Sequence, residues 1–389
     1  MDIHELAKKH EEYLLTLRRT FHQNPELSHQ EHGTAARIRA ELDGMGLPWE
    51  AVEETGTVAW LDTGRPGRSL AIRADIDALP MQEEVDWEYR SLVPGVMHAC
   101  GHDVHTATLL TAAKCLCELR DELCGVVYFC FENAEEIAGG GAKSMVAWLR
   151  DRGGVDQVIG NHMEGSLAPG CAWVRSGTAN AGNCHWRVVI RGRGGHGSRP
   201  DAAVDPIRIA CRVLDRLTQI PSNHHDPFDP LVVSPCMIHG GTAYNIIPDE
   251  CVIEGNLRFF SPAALEEVLA QMERVSRGIA ESEGASAELH NVSSCPPVVN
   301  DPAVAERCRR IMEQVGLRVV ESDGPGMASD DFALFPAAFP GCYVNIGARS
   351  DRPGTSHVIH NTRLFLEESA FLPIAEFFTA FAADLLGAE

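Results

Sequence analysis

At 389 residues the chain is too long for one ordinary core, so two domains are the expectation. Its 33 Lys and Arg face 55 Asp and Glu, a formal charge of −22, which argues against nucleic acid and anionic membrane as partners. The N-terminus is charged and amphipathic rather than signal-like, and no apolar run approaches the ~20 residues of a membrane span. The thirteen Cys are therefore expected as reduced thiols in a cytoplasmic protein.

Residues 2 to about 20 read as one amphipathic helix, with Ile3, Leu6, Leu14 and Leu17 along a face, and a second helix runs from about 31 to 45. Strands follow at Thr57 to Asp62 and Ser69 to Arg73, then a helix from Asp103 to Leu123. Gly125 to Phe131 is a continuous apolar run of strand length, as expected for a strand buried on both faces. A helix over 141–151, a strand from Val155 to Gly160 and a late strand from Gly341 to Gly347 continue the pattern. Strands alternating with helices predict an α/β fold, a mixed, mainly parallel sheet flanked by helices. Between about 181 and 292 the order changes to β-α-β-β-α-β: strands at His185–Arg191, Leu231–His239, Cys251–Phe260 and Ser286–Val292, and helices at Asp205–Gln219 and Pro262–Glu283. That order predicts a small ferredoxin-like α+β domain inserted into a catalytic domain formed by 1–180 and 293–389.

The densest chemistry lies in Met97-His98-Ala99-Cys100-Gly101-His102-Asp103-Val104-His105. Thiol and imidazole donors at this density suit Zn²⁺, Mn²⁺ or Co²⁺ better than Mg²⁺ or Ca²⁺. Cys100 and His102 are two apart, so in an extended loop both side chains would point the same way. In open α/β sheets, sites form beyond the carboxyl ends of the strands. Here four strand-like runs lead into Asp75/Asp77, Glu135/Glu136, His162 and His357/His360. A two-metal hydrolytic site needs about five protein ligands and a base. Cys100, His102, one of Glu135/Glu136, His162 and one of His357/His360 could supply them. With adjacent glutamates, one can bind metal while the other takes a proton from water.

Seven segments spread over nearly the whole chain carry a family resemblance. They are His22-Gln23-Asn24-Pro25-Glu26-Leu27, Arg73 to Pro80, Met97 to His105, Asn133-Ala134-Glu135-Glu136, Gly194-Gly195-His196, Gly240 to Asp249 and His360-Asn361-Thr362-Arg363. Together they resemble the M20 metallopeptidase family and, within it, the amidohydrolase branch of aminoacylases, hippurate hydrolases and indole-acetyl-amino-acid hydrolases. The resemblance implies a zinc-peptidase-like catalytic domain with an inserted lid and dimerisation domain. It implies two divalent ions per chain held by Cys100, His102, Glu136, His162 and His360. Glu135 would be the general base and Asp77 the residue that orients a ligand. His196 would stabilise the oxyanion, often across a dimer interface, and Asn245 and Arg258 would contact the substrate. The implied reaction is hydrolysis of N-acyl-amino acids by metal-activated water. A dipeptidase of the same family, a Cys100 thiol amidase and a silent metal-binding homologue are the alternatives. Asp330 stands where the family usually has Glu, and Asp75 where other branches place a metal-binding His.

Overall fold

A computed structural model describes residues 2–137, 139–261, 263–322 and 324–387. The chain opens with α1 (Ile3–Lys9), α2 (Glu11–Gln23) and α3 (His32–Met45). The single helix expected over residues 2 to 20 is broken at His10. Its buried ring bonds Glu118 Oε1 at 2.8 Å, and its backbone leaves the helical region. Next come β1 (Trp49–Val52), β2 (Gly56–Asp62), β3 (Arg68–Asp75), α4 (His102–Glu118), β4 (Gly125–Glu132), α5 (Ala142–Asp151), β5 (Gln157–Glu164), β6 (Cys171–Trp173) and β7 (Gly177–Asn180). The inserted stretch contributes β8 (Gly182–Arg191), β9 (Gly195–His196), α6 (Pro206–Leu217), α7 (Ile220–His224), β10 (Leu231–Gly240), β11 (Ile246–Ile247), β12 (Glu250–Phe259), α8 (Ala264–Ser282) and β13 (Ser286–Cys295). Pro262, where the sequence places the start of α8, lies outside the described residues. The chain closes with β14 (Val298–Asn300), α9 (Pro302–Gln314), β15 (Arg318–Val319), β16 (Gly341–Gly347) and α10 (Leu372–Leu386).

Two compact units result. The first comprises Met1–Ala179, Val299–Gly324 and Asp331–Glu389, and the second Asn180–Val298 with Pro325–Asp330. These bounds differ from 181–292. β13 carries the second unit beyond 292, and Gly326 accepts a backbone hydrogen bond from Ala181 at 2.9 Å.

The first unit holds an eight-stranded sheet in the order β1-β2-β4-β3-β5-β16-β6-β15. Its centre, β4-β3-β5-β16, is parallel, and antiparallel pairs flank it. All seven residues of β16 are buried, which explains a sequence that is apolar apart from Asn345. α10 fills the core with Phe377, Phe378 and Phe381. Contrary to the sequence reading, Glu368–Leu386 is long and apolar enough to cross a membrane by length and composition, but 78% of that window is buried inside the protein. The second unit is a four-stranded antiparallel sheet, β10-β12-β8-β13, with a core of its own that includes α6 and α8.

Candidate metal centre

Cys100 and His102 converge differently from the extended loop expected of them. Gly101 lies between them at φ 93, and a Cβ there would approach Met163 and Leu366 side-chain carbons at 3.1–3.2 Å. Only glycine takes that backbone without strain, and it turns the chain so that His102 opens α4. The His102 ring is buried, with Nδ1 3.0 Å from the Asp77 carbonyl and 3.2 Å from Asp77 Oδ1. Both partners only accept, so Nδ1 carries a proton and Nε2 is the nitrogen left for a metal. That nitrogen is buried and has no hydrogen-bond partner. It lies 3.6 Å from Asp75 Oδ2, 4.0 Å from Glu135 Oε2 and 3.9 Å from Glu136 Oε1.

Consecutive side chains on a strand point to opposite faces, so Glu135 and Glu136 could not meet there. β4 has ended at Glu132, and Ala134 takes a left-handed φ of 59. That conformation costs a non-glycine residue about 1–3 kcal/mol, and both carboxylates then reach one imidazole nitrogen. The Glu136 amide donates to Asp77 Oδ2 at 3.1 Å, so one carboxylate orients the His102 ring and anchors the glutamate turn.

His162 lies inside β5 rather than beyond it, because pairing with β16 extends the strand to Glu164. Its Nδ1 donates to the Met163 carbonyl at 2.8 Å, and its Nε2 lies 3.3 Å from Cys100 Sγ. His360 comes from the loop after β16. Its amide donates to the Ala99 carbonyl at 2.7 Å, and its Nε2 stands 3.2 Å from Glu136 Oε1. Among the donor sets that lie within 4.8 Å of one another, three consist of residues expected at the centre: Cys100/His102/His162, Cys100/Glu136/His360 and His102/Glu135/Glu136. His357 is in none of these sets.

The donors fit divalent metal. Ligands at about 2.0–2.3 Å from one ion stand three to four ångströms apart, the spacing of these atoms. The unpartnered His102 Nε2 and Glu136 Oε1 are the buried polar atoms such an ion satisfies. Charge agrees. Burial, then Glu136, pushes the Cys100 thiol well above its ordinary pKa. At His102 burial opposes the cation, but Asp75 foremost and then Cys100 hold the pKa well above the usual imidazole range. The pocket is short of positive charge.

Asp75, whose role the sequence leaves open, is saturated by protein. Burial opposes its charge, but His102, Arg73 and His105 hold it well below the usual carboxylate range. His105 Nδ1 donates to Asp75 Oδ1 at 2.6 Å, and His105 Nε2 accepts the Met163 amide at 3.1 Å. Arg73 Nη1 donates to Asp75 Oδ2 at 2.6 Å and Nε to Glu132 Oε2 at 2.6 Å. A second buried set escaped the sequence reading. Asp103 forms an ion pair with Arg18 Nε at 3.0 Å and accepts from His22 Nδ1 at 2.7 Å, pinning α2 to the helix that His102 opens. His22 was visible as part of a motif, but Arg18 carried no signal. His98 is buried with neither ring nitrogen partnered, and burial pulls its pKa down to about 4.

His196, Asn245 and Arg258 belong to the second unit. His196 pairs with Ile246 across β9 and β11, and the Asn245 carbonyl accepts the Gly197 amide at 2.8 Å, so these two are neighbours. Arg258 is half-buried at the far end of β12, about 26 Å from Glu250 at the usual ~3.3 Å per strand residue. Its Nη1 is buried without a partner. Asn245 thus adjoins the β9–β11 pair, whereas Arg258 lies in β12 of the four-stranded sheet.

Comparison with known proteins agrees with this reading. The chain is 34% identical over 372 residues to thermostable carboxypeptidase 2 of Saccharolobus solfataricus (93% of this chain, 92% of that one). It is 35% identical to N-acetylcysteine deacetylase of Bacillus subtilis (96% and 97%) and 42% identical to N-acyl-L-amino acid amidohydrolase of Geobacillus stearothermophilus (74% and 78%). The crystal structure of Bacillus subtilis YXEP, described as a dinuclear metal binding peptidase from the M20 family, superposes with a TM-score of 0.84 at 33% identity (97% and 99%). The model of peptidase family M20/M25/M40 matches residues 71–384, a span that contains every donor of the centre. The chain accordingly belongs to peptidase family M20/M25/M40, as a hydrolase of its amidohydrolase branch.

Proposed function

We propose that this chain hydrolyses the amide bond of N-acyl-amino acids, with Glu135 as general base. The observation that carries the reading is the meeting of Glu135 and Glu136 at His102 Nε2, at 4.0 and 3.9 Å. Cys100, His102, Glu136, His162 and His360 hold two divalent ions, Zn²⁺, Mn²⁺ or Co²⁺ by donor type. Such ions supply Lewis acidity that lowers the pKa of water and polarises an amide carbonyl. Glu135 accepts the water's proton and returns it to the leaving amine. His196 steadies the oxyanion, and Asn245 and Arg258 contact the substrate's carboxylate and carbonyl.

Arg258 lies eight residues along β12 from Glu250, and His196 lies in the separate β9–β11 pair; in our reading the two serve one substrate from different copies, in a homodimer formed through the inserted domain. β10 is an edge strand with Met237 and Ile238 about half exposed, a surface suited to that role. All thirteen cysteines are free thiols, which supports a reducing, cytoplasmic setting.

Likeness to a carboxypeptidase favours one second reading, cleavage of unblocked peptides. The test is a panel of N-acetyl- and N-benzoyl-amino acids beside unblocked dipeptides, before and after EDTA and after adding back Zn²⁺, Mn²⁺ or Co²⁺. Turnover of the N-acyl series alone, lost to chelator and restored by metal, is expected. Preference for dipeptides selects the second reading, and activity that survives EDTA overturns the metal mechanism.

A further inference from the structure

Glu31 is an anomaly at the start of α3. It occupies the N-cap, yet its side chain makes no capping bond, and the exposed helix amides are served by Glu26 instead (Gly33 at 3.0 Å, Thr34 at 2.7 Å). The Glu31 carboxylate is 0% exposed. One oxygen accepts the Thr55 hydroxyl at 2.8 Å, and the other accepts the backbone amide of Ala134 at 2.9 Å. A buried carboxylate at an N-cap that does not cap its helix needs a reason.

The reason lies in the strain around the glutamate turn. Among the described residues, four non-glycine positions have φ near +60: His29, Glu53, Ala134 and His360. Ala134 immediately precedes Glu135, and His360 meets Glu136. His29 and Glu53 flank Asn133, whose amide donates to Glu53 Oε2 at 3.0 Å and lies 3.5 Å from His29 Nδ1. Strain of this kind persists only where the surroundings over-determine it. The bond from Ala134 to Glu31 holds the peptide that aims both glutamates.

We propose that Glu31 is a positioning residue for the hydrolysis assigned above: its buried carboxylate clamps the left-handed Ala134 peptide so that Glu135 and Glu136 meet at His102. This rests on the Glu135 reading, but its first test does not use turnover. Metal titration of metal-free Glu31→Ala should show about tenfold weaker binding of one ion, the scale for residues that orient ligands. At saturating metal, kcat should fall about a hundredfold with KM within about threefold, as expected for a slightly misplaced catalytic group. Glu31→Gln keeps an acceptor for Ala134 and should recover most of that loss. Ala134→Gly takes the same backbone without a clamp, so in the Glu31→Ala background it should restore kcat about tenfold. Should Glu31→Ala not accumulate, Glu31→Asp, too short to bridge Thr55 and Ala134, is expected to lose kcat and metal affinity in the same way. Weakened metal binding rescued by Ala134→Gly supports the clamp. Unchanged metal binding and kcat per folded molecule, or a loss that neither Gln nor Ala134→Gly repairs, overturns it. Glu135→Gln, assayed alongside, judges the general-base reading separately.

Discussion

Glu135 and Glu136 share one environment and differ in what they can still do. Glu136 has a 3.2 Å contact to His360 and falls in donor sets with Cys100 and with His102. Glu135 lies 4.0 Å from His102 Nε2 and shares a donor set with it, and in the proposed reading it is the carboxylate that moves the proton. Glu135→Gln should cut turnover about 10²–10⁴-fold, the usual contribution of a positioned acid–base group, while elemental analysis still finds close to two metals per chain. Loss of metal in that variant would mean that Glu135 is a ligand instead. Residue chemistry was the most legible layer of the sequence, since thiol, imidazole and carboxylate donors advertise themselves by density. The backbone that converges them was not. The left-handed turns at Gly101 and Ala134 follow from tertiary crowding, and nothing in the local sequence marks Glu31 as reaching across to residue 134.

At the scale of elements, apolar runs located the buried strands well, because β4 and β16 owe their sequence to burial on both faces. Boundaries set by pairing were harder. β5 continues through Asn161 and His162 because its neighbour β16 keeps supplying hydrogen bonds, and no hydrophobic signal accompanies that extension. Packing of α1 on α10 carries a testable pH dependence. Glu376 is buried on α10 with His4 Nδ1 2.9 Å from its carboxylate; burial raises its pKa, and His4 offsets this only in part. A carboxyl group with a raised folded pKa contributes stability that is complete below its unfolded value of about 4.3 and is lost as pH rises through the folded value. Glu376→Gln removes that titration. Melting temperatures of wild type and variant should therefore diverge in the variant's favour as pH is raised from 4 to 7. Parallel curves would place the carboxyl group's cost elsewhere.

For the molecule as a whole, alternation of strand and helix identified the first unit, and the β-α-β-β-α-β rhythm identified the second. The return of Pro325–Asp330 to the second unit was hidden, because it is made by long-range contacts, among them a backbone bond from Ala181 to Gly326 and one from the Cys295 thiol to the Asp330 carbonyl at 3.4 Å. The placing of His196 in the β9–β11 pair and Arg258 in the four-stranded sheet gives the dimer proposal a decisive form. His196→Ala and Arg258→Ala chains, each inactive alone, should regain activity when unfolded and refolded together. An equal mixture yields roughly half heterodimers, each with one intact site of two, so about a quarter of wild-type turnover is expected. No recovery, with a mixed dimer demonstrated by mass, would place both residues in the same protomer's site.

The place of β16 in the large sheet bears on how the protein is made. It lies between β5 and β6, yet it is synthesised after the entire second unit. At ~5–20 residues per second, roughly 10–35 s separate β5 from β16 on the ribosome. Throughout that interval the nascent sheet carries β5 as an open edge, and a bare edge is a template for pairing with other chains. His360, the last donor to emerge, cannot arrive before this gap is filled. Inserting one domain within another thus leaves a sheet edge open for a long interval during synthesis.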